Sequence, residues 1–110
     1  MSQELTSGRV VGVDADLDVL FDQIKQLREL AGDPDRARDS ARVYDFSIRW
    51  GTFLRGRLER LDYYYSRGTL TTGEQARYQD LRTELRRALP LVRQLGLGCP
   101  NVALDNGSRR

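Results

Sequence analysis

Three amphipathic helical runs, separated by residues that end one helix and begin the next, constrain this chain more than any other feature. Gly32 is followed at once by Asp33-Pro34, and the segment 68–74 reads Gly-Thr-Leu-Thr-Thr-Gly-Glu. Glycine is favoured just after a helix, whereas Asp-Pro and Thr-x-x-Glu are typical of helix starts. Between these signals apolar residues recur at intervals of three and four, as a buried helix face requires. The sequence therefore predicts an all-α fold.

The apolar spacing predicts three helices, over about 15–31, 34–67 and 72–95, within a helical domain that spans 14–96. Pro90 lies inside the third helix, where the loss of a backbone donor predicts a kink. The stripe of the second helix comprises Val43, Trp50, Leu54, Leu58, Leu61 and Tyr65, with Phe46, Phe53 and Tyr64 beside it.

The two ends of the chain are more polar than its middle. We expect residues 1–13 to form an N-terminal arm and residues 97–110 to form a flexible tail. Asp14 or Asp16 is the predicted cap of the first helix, since acidic side chains are stabilised at a helix N-terminus.

The length of the second helix sets the topology. A helix over 34–67 would be covered at one end by the first helix and at the other by the third, which predicts a three-helix antiparallel bundle with a long central helix. Gly51 and Gly56 offer an alternative, because a glycine in a helix interior costs roughly 1 kcal/mol relative to alanine. A break at Gly51 would give a four-helix bundle, but the unbroken phase of the apolar stripe favours the long helix.

The amino-acid composition argues against several classes of function. The chain has no histidine and one cysteine, Cys99, so it lacks the commonest general base and the commonest metal ligand, and no disulfide can form within it. No nucleophile–base pair or metal-ligand spacing is present, and we predict no catalytic, metal or cofactor residues. Long apolar segments and a signal-peptide pattern are also missing, so we expect a cytoplasmic protein with no membrane contact.

The apolar stripes are wider than two antiparallel neighbours need, which favours a further contact with another protein. We therefore predict a non-catalytic adaptor, assembly or regulatory subunit that forms a homodimer or docks on a protein partner. The predicted interface residues are Phe46, Phe53, Tyr63, Tyr64, Leu89 and Leu91.

An arginine stripe supports an alternative function. The chain holds 18 basic residues but a net charge of only +2. Arginines beside aromatic residues suit a phosphate backbone or an exposed base, so the alternative is a small nucleic-acid-associated regulator. Acidic residues on the same helix weaken this hypothesis. The arginines that share one side of the second helix are Arg38, Arg42, Arg49, Arg60 and Arg67.

Overall fold

The computed structural model describes residues 10–104, and this part of the chain contains five α-helices and no strand. The fold is the all-α helical bundle that the sequence predicts. The helices are α1 (Val13–Gly32), α2 (Pro34–Arg38), α3 (Ser40–Phe53), α4 (Glu59–Ser66) and α5 (Thr72–Gln94), with a π-helical turn (Leu54–Leu58) between α3 and α4.

Helix α1 begins earlier than the sequence predicts. Its first backbone hydrogen bond joins the amide of Asp16 to the carbonyl of Gly12 at 2.9 Å, and no side chain caps the helix. Gly12 has a φ of 85°, a left-handed conformation that glycine adopts without strain. The prediction of Asp14 or Asp16 as the cap is therefore wrong, because both residues lie inside the first turn. Most of the predicted N-terminal arm, residues 1–9, lies outside the described residues.

The predicted helix over 34–67 is interrupted once, at Asp39. This residue has extended backbone angles, and its carboxylate accepts a hydrogen bond from the amide of Arg42 at 3.2 Å. Asp39 thus ends α2 and caps α3, a signal that an Asp-Ser pair inside a helical pattern makes easy to miss. The cap of α2 agrees with the prediction, since Asp33 accepts from the amides of Asp35 and Arg36.

No break occurs at Gly51. The backbone keeps right-handed helical angles at Phe53, Leu54, Leu58 and Glu59, so α3, the π-helical turn and α4 form one continuous helical rod. Gly56 lies within the π-helical turn, which absorbs one extra residue without ending the rod.

Helix α5 starts with the predicted capping box. The Thr71 hydroxyl accepts from the amide of Glu74 at 3.1 Å, and the Glu74 carboxylate accepts from the amide of Thr71 at 2.8 Å. The helix continues through Pro90 and ends before Gly96, whose φ is 69°.

Successive long segments run antiparallel. Asp16 near the start of α1 contacts Arg57 in the rod, while Tyr78 near the start of α5 contacts Asp62 near the end of the rod. Helices α1 and α5 also pack against each other. The buried apolar residues form one core: Val13, Leu17, Leu20, Ile24, Leu27, Leu30, Phe46, Trp50, Leu54, Leu58, Leu61, Leu70, Tyr78, Leu81, Leu85, Ala88, Val92 and Leu97.

The described part of the predicted tail, residues 97–104, packs on the bundle. Leu97 is buried, and the carbonyl of Gly98 accepts a hydrogen bond from the Trp50 indole at 2.8 Å. Arg82 and Arg86 donate to the carbonyls of the residues at 103 and 104. An indole and two guanidiniums thus bind the backbone of this part of the predicted tail. Residues 105–110 lie outside the described part. Among residues 10–104, no helix is both long and apolar enough to cross a membrane.

Candidate functional site

The side of α3 that faces away from the core exposes two large apolar residues. Tyr44 is 65% exposed and Ile48 is 53% exposed, and they lie one helical turn apart. On the opposite side of the same helix, Phe46 and Trp50 are 3% and 1% exposed. Helix α3 is thus apolar on two sides, and only one is covered within the chain. We call the uncovered side the α3 outer face. Its exposed residues are Ala41, Tyr44, Asp45, Ile48 and Thr52 on α3, together with Arg55 in the π-helical turn that follows.

The α3 outer face carries one acidic and one basic residue. Asp45 and Arg55 form no ion pair or hydrogen bond with any other residue of the described part. The Arg55 guanidinium lies back along the helix, with Nη1 3.3 Å from the point where a side chain on Gly51 would begin. The positive charge of Arg55 therefore lies near Gly51, about one helical turn before the Arg55 backbone.

Most of the predicted interface residues are less exposed than expected. The prediction of Phe46 as an uncovered residue is wrong, because its ring is buried against Trp50 with the ring centroids 5.9 Å apart. Phe53 and Tyr64 are half-buried, and the guanidiniums of Arg57 and Arg60 lie over their rings.

The other three predicted interface residues are divided between the rod and α5. Tyr63 is 54% exposed near the end of the rod, and the Arg67 guanidinium lies 5.1 Å from its ring centroid. Leu89 and Leu91 are half-buried on α5, and Leu91 packs against the core. The structure does not bring the six predicted residues together into one surface.

The predicted arginine stripe is divided in the structure. Arg60 donates to the Asp16 carboxylate and to the carbonyl of Val11, so it serves an internal contact. Arg38, Arg42 and Arg49 remain exposed in the first half of the predicted stripe. The five arginines therefore do not form one continuous basic surface.

A cleft between α1 and the α2–α3 corner collects four basic side chains. Its volume is about 440 Å³, and Leu30 and Phe46 contribute apolar surface to it. Arg36 and Arg42 pair with nearby aspartates through Nε, at 3.5 and 3.7 Å, which leaves their Nη atoms outside these ion pairs. The charged residues that line the cleft are Lys25, Arg36, Arg42 and Arg49, together with Asp22 and Glu29.

Buried polar groups in the bundle serve the fold. The Tyr78 hydroxyl donates to Asp62 at 2.9 Å, and burial together with this carboxylate raises the pKa of Tyr78. The Arg82 guanidinium lies 4.7 Å from the ring centroid of Tyr65 and 5.3 Å from that of Tyr78. These contacts join the end of the rod to α5, and they are enclosed rather than open to a ligand.

A second set of ion pairs ties α1 to α5 at the surface. Arg77 binds Asp14 at 2.8 Å and Asp18 at 2.9 Å. The hydrogen bond that Arg77 donates to the Asp18 carboxylate is the main reason that the pKa of Arg77 is raised. Asp14 and Asp18, near the start of α1, thus link this helix to α5.

Tyr44 and Ile48 are not among the predicted interface residues, although the sequence carries a signal for them. Both lie opposite the core stripe on a helical wheel, so an apolar residue at these positions has no neighbour within the predicted bundle. The predicted interface residues of the second helix instead lie beside the core stripe, where the bundle covers them wholly or in part.

Comparisons with known proteins do not identify the chain: no family model, curated protein or solved structure matches it. Within residues 10–104 there is also no group of three or more acidic or cysteine side chains that could hold a metal ion.

Proposed function

We propose that this protein is a non-catalytic helical interaction module that self-associates through the α3 outer face, in the role of an adaptor, assembly or regulatory subunit. The observation that carries the proposal is the exposure of Tyr44 and Ile48 one turn apart on a helix whose opposite side is already buried. A pair of large apolar residues on one regular helix is a surface that a second helix can cover.

The pairing of Tyr44 and Ile48 on one helix distinguishes this surface from the other large exposed apolar residues of the described part, Val11 and Tyr63, which lie on other segments. Covering a side chain such as Ile48 or Tyr44 contributes about 25 cal/mol for each Å² of apolar surface removed from water. The helix that presents them is held by the burial of Phe46 and Trp50, so association does not require a disordered segment to fold. Tyr63 is similarly exposed, but Arg67 already covers part of its ring.

The test is the oligomeric state of the full chain across a wide concentration range, measured by sedimentation velocity. We expect a monomer–dimer equilibrium that the double variant Tyr44→Ser/Ile48→Ser shifts strongly toward the monomer. Tyr63→Ser is the matched control, because it removes an exposed tyrosine from another part of the rod and leaves the dimer intact. A wild-type chain that stays monomeric up to hundreds of micromolar would overturn the proposal.

A second candidate function is binding to nucleic acid, and the convergence of Lys25, Arg36, Arg42 and Arg49 at one cleft favours it. The Nη atoms of Arg36 and Arg42 are free of their ion pairs and suit phosphate oxygens. Asp22 and Glu29 in the same cleft oppose a polyanion, which is why this function is second.

The nucleic-acid candidate is tested by the fluorescence anisotropy of a labelled single-stranded oligonucleotide at increasing salt. Binding through this cleft should weaken steeply as salt rises and should be lost in Arg42→Glu/Arg49→Glu. Arg93→Glu, an exposed charge near the end of α5, is the control. Binding that is absent at low salt, or equal in both variants, would remove this candidate.

A further inference from the structure

The segment 97–104, which we call the strap, is held on the bundle mainly through its backbone. It contains no helix or strand, and it turns back along α5, because the carbonyl of Ala103 accepts a hydrogen bond from Arg82 near the middle of that helix. Side chains of the bundle donate to three of its carbonyls, those of Gly98, Ala103 and Leu104. A groove that binds an extended chain through its carbonyls can bind another extended chain in the same way.

The strap directs apolar side chains to the bundle and polar ones to solvent. Leu97 is buried, and Val102 and Leu104 are partly buried against the core. Cys99 and Asn101 are exposed. We call the surface under the strap the strap groove; the side chains that bind or adjoin the strap there are those of Trp50, Tyr65, Arg82 and Arg86.

Arg82 is a buried cation in this groove that lacks an acidic partner. The residue is 7% exposed, yet it forms no ion pair with any carboxylate of residues 10–104. Its Nη atoms donate to two neutral oxygens, at 3.3 Å to the carbonyl of Ala103 and at 3.2 Å to the hydroxyl of Tyr65. Its Nε is buried and has no hydrogen-bond acceptor in the same part of the chain. Because a buried charge is costly without a counter-ion, an anion in the strap groove would stabilise this guanidinium.

The position of the guanidinium is fixed by aromatic rings. The ring centroids of Tyr65 and Tyr78 lie 4.7 and 5.3 Å from it. The carboxylate of Asp62 accepts from the Tyr78 hydroxyl and forms no ion pair with Arg82. The cation is therefore held in place without being neutralised, which suits a receptor for a negatively charged group.

We propose that the strap groove is a docking site for the C-terminal end of an extended peptide, whose terminal carboxylate binds Arg82. A peptide that follows the path of the strap and ends at the position of Ala103 places one carboxylate oxygen where the Ala103 carbonyl oxygen lies. An ionised acceptor thus replaces a neutral one, and charge-assisted hydrogen bonds are roughly twice as strong as neutral ones. This site goes beyond the proposed function, because it does not depend on the α3 outer face.

The strap acts as an intramolecular competitor for this site. It encloses Arg82 in the structure, so a peptide reaches the guanidinium only by displacing the strap. The strap also indicates the preferred ligand. Val102 packs against the core and Ala103 is exposed, which favours a peptide with an apolar residue before a small C-terminal one.

The test is the binding of a fluorescein-labelled peptide to the full chain, measured by fluorescence anisotropy. The peptide has the sequence of residues 97–103 with serine in place of Cys99, and it is made with either a free C-terminal carboxylate or a C-terminal amide. We expect the carboxylate peptide to bind at least about tenfold more tightly than the amide. In Arg82→Gln the two peptides should bind equally, whereas Arg82→Lys should keep part of the preference because it keeps the charge.

Variants of the strap test the competition. Leu97→Ser loosens the strap without changing a side chain that binds the peptide, and it should strengthen binding of the carboxylate peptide at least about fivefold. Asn101→Ser, a change at an exposed residue of the strap, is the matched control and should leave the affinity unchanged. In the wild type, hydrogen exchange at 97–104 should become faster as the carboxylate peptide saturates the protein.

Three outcomes would overturn the proposal. Equal affinity of the wild type for the two peptides, or a preference that persists in Arg82→Gln, would show that Arg82 is not the carboxylate receptor. Binding that Leu97→Ser does not strengthen would place the peptide outside the strap groove. Failure of both the wild type and Leu97→Ser to bind either peptide at millimolar concentration would exclude the docking site.

The comparison of two peptides on one protein remains informative even where a variant is less stable, and circular dichroism checks that each variant keeps its helices. Self-association is measured without peptide, so a failure of this proposal and a failure of the proposed function are distinguishable.

Discussion

Asp16 on α1 and Arg57 in the π-helical turn are joined by an ion pair of 2.6 Å that fixes the start of α1 against the middle of the chain. The same carboxylate binds Arg60 through its other oxygen. The Asp16 side chain is only 8% exposed, whereas the side chains of Arg57 and Arg60 each keep more than a third of their surface in water. A single buried carboxylate therefore connects two helical segments that are distant in sequence.

Asp16→Ala should lower the free energy of unfolding by about 2–3 kcal/mol, because it removes two charge-assisted hydrogen bonds at a buried position. The cost stays below that of a fully buried ion pair, since water can reach both guanidiniums after the carboxylate is removed. Urea denaturation at neutral pH measures the change. Asp18→Ala is the matched control: its side chain is 71% exposed and pairs with Arg77, so its loss should cost less than about 1 kcal/mol. Equal effects of the two substitutions would contradict the assigned role of Asp16.

The helical segments could be predicted from the sequence because their signals are local. Thr71 and Glu74 form the predicted capping box, and Gly68 and Gly96 adopt the positive φ that ends a helix. Asp39 was missed because a single aspartate inside an apolar period offers no decisive signal, and only its hydrogen bond to the amide of Arg42 shows that it caps a helix.

The candidate site was harder to predict, because exposure depends on which neighbours cover each side of a helix. Phe46 lies beside the predicted stripe but packs on Trp50, whereas Tyr44 and Ile48 have the same chemical character and remain in solvent. Asp16 shows the same limit. An acidic residue in the first turn of α1 could be expected from the sequence, because a helix N-terminus favours negative charge. Its ion pairs could not be expected, because Arg57 and Arg60 are more than 40 positions away in the sequence, and Arg57 Nη1 lies 2.6 Å from the Asp16 carboxylate.

Gly56→Ala should stabilise the protein by about 0.5–1 kcal/mol, because alanine reduces the conformational entropy of the unfolded chain at a position where the folded chain has room for it. A side chain at Gly56 would meet no atom within 4 Å, and its backbone angles are not in the left-handed region. Gly68→Ala is the contrasting variant, since a φ of 73° strains any residue with a side chain. It should destabilise by about 1 kcal/mol. Thermal unfolding of both variants measures the two signs, and a destabilising Gly56→Ala would show that the π-helical turn requires glycine.

Tyr78 should make stability fall at high pH. Its buried hydroxyl donates to Asp62, and burial together with this carboxylate raises its pKa above the ordinary value of 10.0. Below pH 10 the group is protonated in both the folded and the unfolded chain, so its contribution is complete there. Above that pH the unfolded chain loses the proton while the folded chain keeps it, and stability declines by up to about 1.4 kcal/mol per pH unit.

The variant Tyr78→Phe isolates this effect. It should cost about 1–2 kcal/mol at pH 8, where the hydrogen bond to Asp62 is intact in the wild type. Its stability should fall less steeply than that of the wild type between pH 10 and 11, so the two curves approach each other. Urea midpoints across this range measure the slopes. Tyr44→Phe, which removes an exposed hydroxyl, should keep the wild-type slope, and identical slopes for all three proteins would show that Tyr78 is not the responsible group.

Trp50→Phe should release the segment 97–104 from the bundle. The indole of Trp50 donates to the carbonyl of Gly98 at 2.8 Å, and phenylalanine cannot replace this donor. The smaller ring also leaves a void in the core, so the total cost should be about 1–3 kcal/mol. Hydrogen exchange should show faster exchange at 97–104 than in the wild type, relative to the helices of the same variant. Phe46→Leu is the control, because Phe46 packs on the same indole and has no polar group to bind the segment. Phe46→Leu should destabilise the whole bundle without selectively faster hydrogen exchange at 97–104. If exchange at 97–104 rises selectively in Phe46→Leu but not in Trp50→Phe, packing rather than the indole hydrogen bond holds this segment.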